Sequence, residues 1–222
     1  MISAAANIAR AWAFEPEAPD RIGIMADSHG NAAMIAKAAA VLRSRECAMC
    51  IHLGDIIDTT LPASIDTCLN VLATNKIKAI RGNNEHALLL NRSTWLSREA
   101  MDAIRAMPFG RQIGSTLLVH SLPFDDVLGV RCLLEDMNLS HMGRFFDAYP
   151  GTQLFRGHSH QPEIVQFREA AFSRRQLPKG HPVPLAARQP AVITCGALAD
   201  GLCLLWNRHQ ETVELISLGG TS

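Results

Sequence analysis

Seven side chains that can bind metal ions follow five separate apolar segments of this 222-residue chain. Their carboxylate oxygens, amide oxygen and imidazole nitrogens suit manganese, iron, zinc, nickel or cobalt rather than copper(I) or an iron–sulfur cluster. Seven protein ligands exceed the four that one zinc ion needs, but they can serve two ions if one carboxylate bridges. The seven residues are Asp27, His29, Asp55, Asn83, His120, His158 and His160.

Each of these residues comes just after a short apolar run that is typical of a β-strand. In α/β sheets the carboxyl ends of strands form the crevice where ligands bind, so five strands would deliver their polar tips to one edge of a sheet. A single histidine after a strand is more often a satisfied polar residue, and Gly-Asp is a common turn. The coincidence of five signals is what predicts a metal centre. The five runs cover residues 22–26, 49–53, 77–80, 115–119 and 153–155.

Helical patterns lie between these strands, and after residue 160 the pattern changes to strands alone. The predicted helices cover 33–42 (with Asn31 as the N-cap), 63–74, 97–106 and 139–148. The predicted C-terminal strands cover 164–167, 191–194, 202–206 and 212–218. This order predicts a layered α/β domain whose C-terminal third forms mixed or antiparallel sheet.

Two segments fall outside this pattern. Residues 1–20 lack the basic start and long apolar stretch of a secretory signal, and we interpret them as an N-terminal extension. Residues 168–190 are rich in Arg and Pro with little periodicity, which predicts an exposed excursion. A solvated loop is favoured there over a basic flap that binds substrate. Residues 21–222 are expected to form a single domain.

The composition is that of an ordinary globular protein, with 48% hydrophobic residues, 19% charged residues and a formal net charge of zero. The neutral balance argues against a general electrostatic attraction to nucleic acid or to an anionic membrane. Since no run approaches the ~20 apolar residues that span a bilayer, we expect a cytoplasmic protein, which could form a homo-oligomer. The six cysteines lack framework spacing and are expected to be free thiols.

The order of the motifs resembles that of the calcineurin-like metallophosphoesterase superfamily, in particular its small single-domain prokaryotic phosphodiesterases. The motifs are Asp27-x-His29, Gly54-Asp55, Gly82-Asn83-Asn84-Glu85, His120 and Gly157-His158-x-His160. The resemblance implies a four-layer αββα sandwich of two mixed β-sheets flanked by helices. It also implies one ion on Asp27, His29, Asp55 and His160, and a second ion on Asp55 as the bridge with Asn83, His120 and His158.

The activity implied by the resemblance is hydrolysis of a small-molecule phosphoester at two divalent transition-metal ions, with manganese preferred. A hydroxide bridging the ions would attack phosphorus, with Asp55, Asn83 and His120 as the catalytic ligands. Many members carry His at the position where this chain has Asn84. The asparagine amide could contact phosphate or the leaving group, but it cannot deliver a proton at neutral pH. Phosphodiesters or activated esters are therefore favoured over phosphoproteins. His86 could compensate only if its turn aims it inward.

Two alternatives remain open from the sequence. A nucleotide or dinucleoside-polyphosphate phosphatase would need an aromatic platform for the base, for which Trp95, Phe109 and Phe124 are candidates. A protein of another class, a catalytically weak scaffold of the same fold that binds protein partners, would be expected to depart from the full ligand set. The presence of all seven ligands favours the enzyme.

Overall fold

The strands of the protein are arranged in two β-sheets. The structure is a computed structural model that describes residues 12–61, 64–91, 96–123, 133–168, 171–185 and 190–219. The strands are β1 (Trp12–Phe14), β2 (Arg21–Met25), β3 (Met49–His52), β4 (Lys78–Ala79), β5 (Gly110–Ile113), β6 (Thr116–Val119), β7 (Gln153–Arg156), β8 (Glu163–Arg168), β9 (Ala171–Gln176), β10 (Pro182–Pro184), β11 (Ala191–Thr194), β12 (Leu202–Asn207) and β13 (Thr212–Ser217). The helices are α1 (Ala32–Ser44), α2 (Ile65–Thr74), α3 (Asn83–Leu90), α4 (Arg98–Ala106) and α5 (Leu139–Ala148).

Both sheets are mixed. The seven-stranded sheet has the order β1-β5-β6-β7-β11-β8-β9, and the six-stranded sheet has the order β10-β13-β12-β2-β3-β4. Within the second sheet β2, β3 and β4 run parallel, and within the first sheet β6, β7 and β11 run parallel. The carboxyl ends of these parallel strands are where ligand residues can meet.

Three apolar layers hold the sandwich together. The central layer lies between the sheets, where Ile24 and Ile51 share a cluster with Phe155 and Ile193. A second layer joins the six-stranded sheet to α1–α4, and a third joins the seven-stranded sheet to α5, which contributes Phe145. The αββα architecture that the resemblance implied is therefore confirmed.

The predicted helices and strands lie close to their expected places. Helix α5 has the predicted bounds, and the side chain of Asn31 caps α1 by accepting a hydrogen bond from the backbone N–H of Met34 at 3.0 Å. Helix α2 is described from Ile65, whereas residue 63 of its predicted range lies outside the described residues. Strand β5 and helix α3 were not predicted. Both are short, and α3 has no clear apolar stripe because it begins with polar residues that serve the site.

The two segments set apart by sequence contain regular structure. Strand β1 lies inside the predicted extension and pairs in parallel with β5, while residues 1–11 lie outside the described residues. Strand β9 lies inside the predicted excursion, where it pairs with β8 and is exposed at all six residues. A strand that is exposed on both faces has no alternating pattern, so the expectation of an irregular loop was wrong there. Strand β10 carries prolines on a sheet edge, where a missing N–H is tolerated.

Candidate metal centre

The proposed ligands meet at one end of the sandwich, between the two sheets. Asp27, His29, Asp55 and Asn83 follow strands of the six-stranded sheet, whereas the three other histidines follow β6 and β7 of the seven-stranded sheet. The expectation that five tips meet at the edge of one sheet is therefore corrected to a meeting of two sheets. Backbone hydrogen bonds join the loops within each sheet, from Asp27 N to Gly54 O at 3.0 Å and from Gly157 N to His120 O at 3.0 Å.

A first group of ligand atoms is formed by Asp27, His29 and His160. One potential ligand atom of each lies within 4.8 Å of the others. The two imidazole Nε2 atoms are 3.1 Å apart, and His160 Nε2 is 3.9 Å from Asp27 Oδ1. Among the described residues, this buried Oδ1 atom has no hydrogen-bond partner. A buried carboxylate oxygen without a donor is unfavourable unless a cation compensates it, so this group fits a metal ion.

A second group lies beside the first and is formed by Asp55, Asn83, His120 and His158. Asn83 Oδ1 is 2.8 Å from His120 Nε2 and 3.1 Å from His158 Nδ1. The same His120 nitrogen is 3.6 Å from Asp55 Oδ1. Asp27, Asp55 and His120 also place ligand atoms within 4.8 Å of one another, so the two groups are contiguous.

The protonation of His120 is fixed by its second nitrogen. Its Nδ1 atom lies 2.8 Å from the carbonyl oxygen of Leu53, which can only accept, so Nδ1 carries the hydrogen. The Nε2 atom therefore presents its lone pair to the second group. Burial lowers the pKa of the fully buried His120 to about 4, which keeps the imidazole neutral as metal binding requires.

The site concentrates negative charge in the protein interior. Burial, followed by the neighbouring Asp55 carboxylate, holds the pKa of Asp27 well above its usual value. The same two causes raise the pKa of Glu85, also buried, to about 7. Among the described residues, the positive charge that opposes this effect at Asp27 is that of Arg156, which also pairs with Asp136 at 2.6 Å. These buried carboxylates outnumber the guanidinium groups that act on them, which favours the binding of divalent cations.

The backbone at the ligands is held in a conformation that side chains rarely adopt. Five of the seven candidates have positive φ angles, namely Asp27 (55°), His29 (44°), Asp55 (52°), His158 (71°) and His160 (58°). Left-handed backbone at a residue other than glycine is unfavourable by about 1–3 kcal/mol and is typical of functional sites. These loops are therefore shaped to aim side chains rather than to maximise stability.

Two glycines allow the loops to approach this closely. A Cβ atom on Gly82 would lie 2.2 Å from the backbone nitrogen of Asp55, and one on Gly157 would lie 2.8 Å from Asp27 Oδ2. Both glycines immediately precede a ligand, and both sit where another ligand loop passes. The Gly-Asn and Gly-His pairs of the sequence thus reflect close packing of loops.

Glu85 holds two of these loops together. Its carboxylate accepts four backbone N–H bonds, from Gly82 at 2.7 Å, Asp55 at 3.0 Å, Ile56 at 2.9 Å and Ile57 at 3.0 Å. The sequence signal was a helix start with a glutamate three residues after its N-cap, which is the spacing of a capping box.

Asn84, the second residue of helix α3, contacts candidate ligands of both groups. Its backbone N–H donates to Asp55 Oδ1 at 2.9 Å, and its side-chain oxygen accepts from Asn83 Nδ2 at 3.1 Å. Its Nδ2 donates to the carbonyl of Ile57 at 2.8 Å and lies 3.3 Å from His29 Nδ1. The amide of Asn84 thus orients Asn83 so that the Oδ1 atom of Asn83 faces His120 and His158.

The other residues raised by sequence lie elsewhere. The His86 ring packs on Phe109 with a centroid separation of 6.0 Å, and Arg81 stacks over the same ring. Trp95 and Phe124 lie outside the described residues. The described cysteines are buried free thiols, as expected, and Cys132 lies outside the description. Within the described residues, no helix has the length and apolar character needed to cross a membrane.

Comparison with known proteins agrees with this fold. The model of the calcineurin-like phosphoesterase superfamily domain matches residues 21–173, and the chain belongs to this superfamily. A metallophosphoesterase from Sphaerobacter thermophilus has a TM-score of 0.68 at 19% identity, with 88% of this chain and 87% of that chain covered. A cold-active protein-tyrosine phosphatase of a psychrophilic Shewanella has a TM-score of 0.51 at 11% identity, with 92% and 82% covered. These similarities show the fold. A comparison with curated protein sequences finds no match.

Proposed function

We propose that this protein is a dinuclear metal-dependent phosphoesterase that hydrolyses small-molecule phosphodiesters or activated phosphate esters. The observation that carries the proposal is the contact between the two groups of ligand atoms, in which Asp27, Asp55 and His120 lie within 4.8 Å of one another. Phosphoester hydrolysis at paired ions needs two such groups side by side, because each ion contacts one side of the reacting phosphate.

Each group would hold one ion. Asp27, His29 and His160 would hold the first, and Asn83, His120 and His158 would hold the second. Asp55 would bridge the two, since it lies beside both Asp27 and His120. The donors are oxygen and nitrogen without thiolate, so divalent manganese is the preferred occupant and iron, zinc, nickel or cobalt are alternatives.

When bound, two such ions lower the pKa of water and neutralise charge on the phosphate oxygens. The contribution of the chain is to hold its ligands ready before the substrate arrives. Leu53 O fixes the tautomer of His120, and Asn84 fixes the amide of Asn83. The buried Asp27 and Asp55 carboxylates have few competing donors, so little of the chain has to rearrange when cations bind.

The preference for diesters rests on the lack of a proton donor at position 84. The Asn84 amide is engaged with Ile57 O and Asn83 and has no acidic proton to give to a leaving group. His86 packs against Phe109 on the other side of helix α3. Substrates whose leaving group needs no protonation, such as aryl phosphodiesters, should therefore react fastest.

The first expected result is manganese-dependent hydrolysis of bis(p-nitrophenyl) phosphate by the purified protein. Chelation should abolish the activity, and added manganese should restore it, because removal of the ions removes the Lewis acids. His120→Ala, which removes a proposed ligand at the second group, should be inactive under the same conditions. Activity that persists in chelator, or equally in the His120→Ala protein, would contradict the proposal. A parallel panel of nucleotides and dinucleoside polyphosphates tests the alternative substrate class.

Substitution of Asn84 by histidine should shift the preference from diesters toward monoesters. An imidazole at this position could protonate the poor leaving group of a monoester, an effect typically worth about 10²–10⁴-fold for a well-placed acid. The measurement is the ratio of kcat/KM for an alkyl phosphate monoester to that for the aryl diester. Asn84→Ala is the control, because it removes the same amide contacts without adding an acid. An equal ratio in the two variants would refute the leaving-group argument.

A further inference from the structure

A buried histidine that is not among the proposed ligands lies directly beneath the metal centre. His52, the last residue of β3, is fully buried, and its Nε2 atom lies 3.0 Å from the hydroxyl oxygen of Ser28. Ser28 is also buried, and its hydroxyl lies 3.0 Å from the carbonyl oxygen of Ile56. These two contacts form a bridge that begins at β3 and passes through the first ligand loop, which carries Asp27 and His29. The bridge ends at the second ligand loop, which carries Asp55.

The direction of both hydrogen bonds in this bridge follows from the carbonyl group at its far end. The Ile56 carbonyl can only accept, so the hydroxyl hydrogen of Ser28 is used to donate to it. The Ser28 oxygen must then accept from His52, which therefore carries its hydrogen on Nε2. The other nitrogen, Nδ1, is bare and has no hydrogen-bond partner among the described residues. Burial lowers the pKa of His52 to about 3, so the ring is a neutral donor with one defined tautomer.

The bridge holds the strained part of the first ligand loop. Ser28 stands between Asp27 and His29, both of which have left-handed backbone. Ile56 directly follows Asp55, and its carbonyl also accepts the backbone N–H of Gly30 at 2.8 Å. Since left-handed backbone relaxes unless its surroundings hold it, a fixed hydroxyl at position 28 restrains the ligands on both sides.

We propose that His52 is a positioning residue, which acts through Ser28 to hold Asp27, His29 and Asp55 in the arrangement that binds cations. This inference rests on the proposed function, because it assigns His52 a role in preorganising the metal ligands. A purely apolar side chain would fill the same core space without the desolvation of an imidazole, so burial alone does not account for a histidine here. The hydrogen bond to Ser28 is the contact that accounts for it.

The test is the dissociation constant of manganese, measured by competition with a fluorescent chelator and thus independent of hydrolysis. His52→Leu should weaken binding by about tenfold or more, the range found when residues behind metal ligands are removed. His52→Gln should remain within about threefold of the wild type, because the glutamine amide can reach Ser28 with a donor at the position of Nε2. Equal weakening in the Leu and Gln variants would overturn the proposal.

The two serines that stand between paired ligands provide a matched control. Ser28→Ala removes the bridge and should weaken manganese binding as His52→Leu does. Ser159, between His158 and His160, is also turned inward, but its hydroxyl has no hydrogen-bond partner among the described residues. Ser159→Ala should therefore leave the dissociation constant unchanged. Equal effects at the two positions would show that any small change in these loops weakens binding, and the proposal would fail.

A double variant separates the bridge from general damage. If His52 acts through Ser28, the His52→Leu/Ser28→Ala protein should bind manganese no more weakly than the worse single variant. Losses that multiply would contradict a shared path. Nitrogen NMR of the metal-free wild type should show His52 as the neutral Nε2–H tautomer at pH 6, and the other tautomer would overturn the proposal. If the wild type binds no manganese, the proposed function fails, whereas unaltered binding in His52→Leu makes this inference alone fail.

Discussion

Asp55→Asn is expected to lower kcat/KM for the aryl phosphodiester by at least about a thousandfold, since loss of a bridging ligand removes several kcal/mol of stabilisation from the transition state. The fold should survive. Asn can still accept the backbone N–H of Asn84 through its side-chain oxygen, a bond that the carboxylate makes at 2.9 Å. The Asp55 charge also raises the pKa of both Asp27 and Glu85, so its removal relieves repulsion between buried acids. The metal-free variant should unfold at the same urea concentration as the metal-free wild type, or at a higher one.

The matched control is Asp102→Asn, the same change at an exposed carboxylate on α4 that pairs with Arg105 at 3.7 Å. This variant should keep wild-type kcat/KM and the wild-type unfolding midpoint. Near wild-type turnover by Asp55→Asn would remove the bridging role. A metal-free Asp55→Asn protein that is clearly less stable than the metal-free wild type would show that the carboxylate serves the fold and not the ions.

Glu85→Ala is expected to lower the free energy of unfolding by at least about 4 kcal/mol, or to prevent folding. It leaves without an acceptor the backbone N–H groups of Gly82, Asp55, Ile56 and Ile57, all of which donate to this carboxylate. Each unsatisfied buried donor is unfavourable by about 1–3 kcal/mol, and a typical domain has only about 5–15 kcal/mol in total. Urea denaturation of the metal-free protein measures the effect.

A second variant keeps this prediction testable if Glu85→Ala does not fold. Glu85→Gln retains one acceptor oxygen, which can serve one pair of the four N–H groups, so it should lose less stability than Glu85→Ala. Glu99→Ala, at an exposed position in the first turn of α4, should change the free energy of unfolding by no more than about 0.5 kcal/mol. A loss of under 1 kcal/mol in Glu85→Ala would mean that the loops do not depend on this carboxylate.

The candidate ligands could be picked out of the sequence because each follows an apolar strand, and this signal is local. Asp27 and His120 are separated by more than ninety residues, yet each is marked by the end of its own run. How the runs share two sheets was not readable from those signals, because pairing of β6 with β7 depends on contacts distant in the chain. The resemblance supplied the layer count that the local pattern could not.

The supporting residues were harder to predict for a physical reason. His52 has the sequence context of a buried strand end. Its hydrogen-bond partner, Ser28, lies 24 positions earlier in the chain. Exposed strand β9 has no periodicity to reveal it, since its regularity comes from pairing with β8. Sequence patterns thus report which faces are buried, but not which polar groups inside the protein find one another.

The most direct test of the account is anomalous X-ray diffraction from crystals grown with manganese. The account predicts two anomalous peaks at the end of the sandwich, one contacted by Asp27, His29 and His160 and the other by Asn83, His120 and His158, with Asp55 touching both. A crystal in which these side chains surround no peak, or in which the 158 and 160 imidazoles turn away from Asp27 and Asp55, would contradict it.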